Sequence, residues 1–251
     1  EFKKATELNP NLVHVHEKLA EVYQSLGDYE LAIIRYRLAL GNEPNNPDLW
    51  RKLGNMYMEK GDQYQAQNAF QKAAELGKES QDSGFDMGLF YLREKRYAEA
   101  VNEFKTIIEK KPLYEQAWYR LGTTYLAQAE EEHAKRNNAE ANRLYGEAAA
   151  ALRKAKEINP QFADASYNLG LTLLKQGKTL DAQKEWEYTT TIAPNYPRAL
   201  YNLGLLYQQT GRANDGLSMF CRFVAAAGNQ FQVEATTARQ AIETNKFKCQ
   251  N

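Results

Sequence analysis

Tyr167-Asn168-Leu169-Gly170 returns unchanged as Tyr201-Asn202-Leu203-Gly204, 34 residues later. A looser copy, Trp118-Tyr119-Arg120-Leu121-Gly122, lies upstream, and Trp50-Arg51-Lys52-Leu53-Gly54 stands two further 34-residue steps before it. A constant period of this length marks a repeat array, in which each unit packs only on its neighbours. The prolines keep the same interval: Pro10 to Pro44 and Pro160 to Pro194 are 34 residues, and Pro44 to Pro112 is 68. Proline cannot continue a helix and turns the residue before it away from helical geometry, so each one closes a unit. Only Pro112 to Pro160 breaks step, at 48 residues, which is an insertion of 14.

Each period carries two apolar stripes at helical spacing. First helices give Trp50, Leu53, Gly54 and Tyr57, or Trp118, Leu121, Gly122 and Tyr125. Second helices give Ala66-Phe70-Ala73, Ala100-Phe104-Ile107, Ala148-Leu152-Ala155 and Ala182-Trp186-Thr189. Between them lie turns such as Gly27-Asp28, Gly61-Asp62 and Gly177-Lys178, where glycine takes the left-handed conformation at little cost. The period is therefore helix, short turn, helix. Gly54, Gly88, Gly122, Gly170 and Gly204 are expected to let the first helix close on the alanine that opens its partner's stripe.

This pattern resembles the tetratricopeptide repeat, whose Trp, Leu-Gly, Tyr, Ala, Phe and Pro signature recurs almost residue by residue. The resemblance implies an all-α, right-handed α-solenoid of about 13–14 helices. It divides the chain into a second helix of a truncated repeat at 1–12 and six repeats at 13–46, 47–80, 81–114, 115–162, 163–196 and 197–230. A capping helix and tail occupy 231–251. Gly84 stands where the second repeat has Trp50, Lys78 replaces the closing proline of that repeat, and Gly228 replaces that of the sixth. The insertion, 126–147, keeps helical character, with Glu131–Lys135 and Glu132–Arg136 four apart, and reads as an elongated hairpin turning at Arg136-Asn137-Asn138. Phe2, Ala5 and Leu8 form a stripe whose own first helix is missing, which implies upstream sequence or a covering partner. The tail beyond Asn245 has no pattern and reads as loose.

Bulk properties exclude several function classes. Thirty-two basic and 32 acidic residues cancel, so no net field favours nucleic acid or anionic lipid. No apolar run approaches the roughly 20 residues of a membrane helix. Three histidines are present; His14 and His16 lie about 200° apart around a helix, so they cannot grip one metal. Phosphate loops, serine elbows and zinc signatures are absent from the sequence, which leaves no catalytic residue, no metal site and no cofactor to assign. Glu130-Glu131-Glu132 reads as a solvated helix face. Cys221, between Phe220 and Phe223, reads as a small buried hydrophobe, with a bridge to Cys249 left open. Asn, Gln and Tyr richness with few cysteines leans toward a bacterial cell envelope.

In arrays of this family the first helices line a concave face that binds extended or helical peptides. Carried over by position, the partner-binding residues are Arg51, Asn55, Phe85, Leu89, Tyr119, Arg120, Tyr167, Asn168, Leu171, Tyr201, Asn202 and Leu205. The groove so defined is graded: charged at its N-terminal third, aromatic and aliphatic with two asparagines toward its C-terminal half. Asparagine amides suit a peptide backbone, and tyrosines suit a binding hot spot. A family variant that clamps a C-terminal carboxylate would need Asn where Asp86 stands, so that specialised use is not expected. The resulting expectation is a non-catalytic adaptor for a protein or peptide partner. The alternatives are a structural subunit that self-associates or assembles through 1–12 and the 126–147 hairpin, and the substrate-recruiting array of a larger enzyme.

Overall fold

A computed structural model describes residues 13–77 and 81–249, with side chains from residue 84 onward after the break. The predicted helix at 1–12, with Phe2, Ala5 and Leu8, lies outside the described residues. The structure is an all-α helical repeat solenoid. Thirteen α-helices follow one another in hairpins, and no strand occurs among the described residues. Two compact units divide the chain, 1–112 and 113–251.

The first unit holds α1 (Val13–Ser25), α2 (Tyr29–Asn42), α3 (Pro47–Lys60), α4 (Gln63–Leu76), α5 (Gln81–Arg93) and α6 (Tyr97–Lys110). Local chemistry starts its helices. Asp28 and Asp62 accept from the backbone N–H groups of Leu31 and Gln65, at 3.1 and 3.2 Å, and Asn46 caps α3 ahead of Pro47. Gly27 and Gly61, at φ +76° and +85°, make the turns that such a chain reversal requires. The core is a strip of Tyr36, Leu53, Met56, Phe70 and Phe90, all nearly inaccessible.

The second unit holds α7 (Glu115–Ala134), α8 (Asn138–Ile158), α9 (Ala163–Lys175), α10 (Thr179–Ile192), α11 (Pro197–Gln209), α12 (Ala213–Ala226), a 3-10 turn at Asn229–Phe231, and α13 (Gln232–Thr244). Helices α7 and α8 run to 20 and 21 residues, against 13 or 14 for the others of this unit, so the insertion is shared between the two arms of one hairpin. Its turn has Arg136 at φ +63°. Lys135 pairs with both Glu131 and Glu132, at 2.7 and 3.0 Å, so the expected Glu132–Arg136 pair is replaced because the turn takes Arg136 off the helix.

Two further expectations change. The helix-to-helix glycines meet chiefly the ring or branched side chain of the partner stripe: Phe70 for Gly54, Phe104 for Gly88, Leu152 for Gly122, Trp186 for Gly170 and Phe220 for Gly204, with the expected alanine also close at Gly122, where an added Cβ would lie 3.2 Å from the Ala148 carbonyl. Large side chains fill the space that a missing Cβ opens. The C-terminus is also tied down. Cys221 and Cys249 form a disulfide, and Phe247 joins the cluster of Phe220, Phe223, Ala235 and Ala238. Cys221 is thus a cross-link instead of a free buried thiol, and the tail is anchored at two points.

Candidate functional site

In the second unit, equivalent positions on α7, α9 and α11 build a repeating polar ladder. Tyr167 and Tyr201 directly precede Asn168 and Asn202, and each asparagine reaches back to the first helix before its own. Asn168 donates Nδ2–H to the Tyr119 hydroxyl at 3.2 Å and to the Asp164 carbonyl at 2.8 Å. Asn202 donates to the Tyr167 hydroxyl at 3.3 Å. Each asparagine therefore fixes the tyrosine of the preceding first helix. Asn168 has used both N–H groups and keeps its acceptor, whereas Asn202 retains one N–H as well.

The rings are held from below. Trp186 donates its indole N–H to the Tyr167 carbonyl at 3.1 Å, and Tyr196 stands 5.3 Å from the Tyr167 ring. The Tyr196 hydroxyl donates to Asp164 Oδ1 at 2.5 Å, which uses the carboxylate nearest the ladder. Burial pushes the Tyr119 and Tyr167 hydroxyls up, with Asp164 adding to the effect at Tyr119. Both stay neutral donors and acceptors across physiological pH. Tyr201 packs on Phe220 and Phe223, with ring centroids at 5.7 and 5.1 Å.

A cavity of about 370 Å³ opens at the C-terminal end of this face. Tyr167, Arg198, Tyr201, Asn202, Phe223, Gln230, Phe231 and Glu234 line it. Its aromatic wall carries one exposed guanidinium, Arg198, which has no ion pair among the described residues. Arg120 lies over the Tyr119 ring at 5.4 Å, and its Nε–H is buried without a hydrogen-bond partner. Such a surface offers ring faces, a cation and amides, which together can hold an extended segment by stacking, backbone hydrogen bonds and one anionic contact.

The expected residues divide between the two units. Tyr119, Arg120, Asn168, Tyr201 and Asn202 come together, half-buried, on the first-helix face of the second unit, with Leu171 and Leu205 beside them. Tyr167 is more enclosed, at 8% exposure, so it supports its neighbours more than it presents a ring to solvent. Arg51, Asn55, Phe85 and Leu89 are half-buried in the first unit. There the charges satisfy each other: Arg51 lies 3.3 Å from Asp86, Lys52 bonds Glu17 and approaches Glu21 at 3.3 Å, and Lys18 pairs with Glu21 at 2.7 Å. Sequence reading missed Arg198, Gln230, Phe231 and Glu234. Arg198 was within reach, because it sits one turn before Asn202; the other three required knowing how α13 folds back.

No group of three or more His, Cys, Asp or Glu side chains among the described residues could hold a metal ion. No described helix is long and apolar enough to cross a membrane.

A tetratricopeptide repeat model matches residues 17–84 and 167–220, and a TPR repeat model matches 145–177. No curated protein matches the chain. Its fold is similar to that of YrrB, a TPR protein with an unusual peptide-binding site, at 23% identity and a TM-score of 0.54, covering 80% of this chain and 96% of that one. It is similar to PilW, a widely conserved type IV pilus biogenesis factor, at 21% identity and a TM-score of 0.70, covering 91% and 98%. The human IFIT1 dimer with m7Gppp-AAAA gives a TM-score of 0.74 at 14% identity, covering 97% of this chain and 58% of that one.

Proposed function

This chain belongs to the tetratricopeptide-repeat family, and we propose that it is an adaptor without catalytic activity that holds an extended segment of a partner protein along the concave face of its C-terminal repeats. The family is one of protein-interaction repeats and its fold is typically non-catalytic. The observation that carries the finer reading is the Tyr–Asn ladder ending in the cavity of Arg198, Tyr201, Asn202 and Phe231. Neutral tyrosines and amides at this spacing bind a peptide backbone with little regard to sequence, while Arg198 favours an acidic side chain or a chain end. The peptide-binding site described for YrrB supports a peptide as the ligand class.

Arg198 and Asn202 are accessible enough to change without unfolding α11, whereas Tyr167 is not. A partner captured from the native lysate supplies the peptide for calorimetry. Arg198→Ala with Asn202→Ala should weaken binding about 30-fold or more, the loss of a hot spot, at unchanged helicity. An unchanged affinity places the site elsewhere.

A further inference from the structure

We infer that the first unit carries a second docking site, a cleft between α2 and α4 that takes an acidic, amphipathic peptide segment. The cleft lies on the side of the second helices, away from the first-helix face described above, and does not rest on the reading of that face. Its volume is about 570 Å³, within the range of sites that enclose a ligand. Leu40, Trp50, Leu53 and Tyr57 line its apolar part, while Arg37, Gln65, Asn68 and Lys72 supply its polar atoms. No carboxylate lines it.

Internal bonding leaves these polar groups available. Among the described residues Arg37, Gln65 and Asn68 make no side-chain hydrogen bond or ion pair, and Lys72 makes only a one-turn surface pair with Glu75 at 3.2 Å. Trp50 is fixed by its indole N–H, which donates to the Pro44 carbonyl at 2.7 Å. Toward the N-terminal ends of α2 and α4 the cleft continues past Ile34, which is 49% exposed, to Glu30 and Asp62. Both acids are engaged: Glu30 pairs with Lys60 at 2.9 Å and Asp62 caps α4. Arg37 and Lys72 therefore offer cations along the cleft, Gln65 and Asn68 offer amides, and the acids at its far end are engaged within the chain.

The equivalent positions in the other repeats show that repetition alone does not create this chemistry. One period on, Arg37, Trp50, Gln65, Ala69 and Lys72 become Gln71, Gly84, Glu99, Glu103 and Thr106, so the cations vanish and two acids appear. In the second unit the corresponding space between α8 and α10 is bridged by Lys156 to Glu185 at 2.7 Å, with Lys156 over the Tyr188 ring at 4.1 Å. Between α10 and α12, Tyr207 donates to Glu187 at 2.6 Å and Arg222 to the Pro194 carbonyl at 2.9 Å. Those clefts satisfy themselves; the first presents two cations above an aromatic floor. Helices α2 and α4 run 14 residues, about 21 Å, which an extended segment of about six or seven residues spans. Its carboxylates meet Arg37 and Lys72, and its aliphatic or aromatic side chains lie on Trp50 and Leu53.

Fluorescence anisotropy of a labelled peptide alternating Glu and Leu tests the site on the full chain, with Lys–Leu and Glu–Ser peptides as controls. The Glu–Leu probe should bind saturably and weaken with added salt, and both controls should bind at least about tenfold more weakly. Arg37→Gln with Lys72→Gln should cost about tenfold or more, and Asn68→Trp, which fills the cleft while keeping its charges, should block binding. Arg198→Ala with Asn202→Ala should leave the probe's affinity unchanged, which separates this site from the concave face. No saturable binding, equal binding of the Lys–Leu peptide, or indifference to either cleft variant overturns the proposal.

Discussion

At the scale of single residues, the array depends on side chains that are absent. A Cβ built on Gly170 would lie 2.5 Å from the Trp186 indole nitrogen, and one on Gly204 would enter the Phe220 ring. Both rings are enclosed on all sides, so neither can retreat. Gly204→Ala should therefore destabilise the second unit by about 1–3 kcal/mol, as an overpacked core does, read from urea unfolding. Tyr145 offers a different kind of test. Burial, then the Glu130 carboxylate that accepts from its hydroxyl at 3.1 Å, pushes it from 10.0 up to about 12. A raised folded value means that the stability is fully present below pH 10 and is lost as pH rises toward 12, because the unfolded chain ionises first. Tyr145→Phe should flatten the fall in stability over that window; an equally steep fall in both proteins would remove Tyr145 as its source.

At the scale of elements, the long hairpin is fastened at its root, and the C-terminal tail is fastened where the sequence reads as loose. Glu130 on α7 receives Tyr145 from α8 and pairs with Lys175 of α9 at 2.9 Å, so the root of the hairpin is pinned to the next helix pair. The Cys221–Cys249 bridge closes a loop of 28 residues around α13, and Phe247 packs beneath it. Cross-linking a loop of that length restricts the unfolded chain by roughly 3–4 kcal/mol at most, with 2–4 typical of measured bridges. Reduction, or Cys221→Ser with Cys249→Ser, should lower the stability of α12 and α13 by about 2–4 kcal/mol. Hydrogen exchange that rises in those two helices and not in α7 and α8 is the expected result; protection unchanged everywhere would show that the bridge is dispensable.

For the whole molecule, stability is distributed over local interfaces between neighbouring helix pairs. Gly204→Ala should therefore raise exchange within 113–251 while α1–α4 keep their protection. Charge is distributed in the same way. The chain is neutral overall, yet acids and bases in the first unit cancel pairwise on the first-helix face, while on the other face Arg37 has no ion pair among the described residues and Lys72 only a one-turn surface pair with Glu75. Net charge therefore predicts nothing about where a charged partner would bind.

Periodicity by itself determined that this chain is a stack of helical hairpins. Interval, paired stripes, turn glycines and closing prolines are all local, and a helix hairpin is a local object; even the shared elongation of α7 and α8 was readable from the displaced proline. Along the candidate face, the 34-residue interval already made Tyr167 and Asn168 the equivalents of Tyr201 and Asn202. Tertiary structure alone decided which groups each side chain spends its hydrogen bonds on. That Asn168 reaches Tyr119, that the turn before α13 brings Phe231 into the cavity of Arg198, that Cys249 reaches Cys221, and that Arg37 and Lys72 line one cleft without a carboxylate are placements that join residues about 28 to 49 apart. Such contacts depend on how neighbouring hairpins stack, and a repeating pattern specifies that the hairpins stack without specifying what each variable side chain meets when they do.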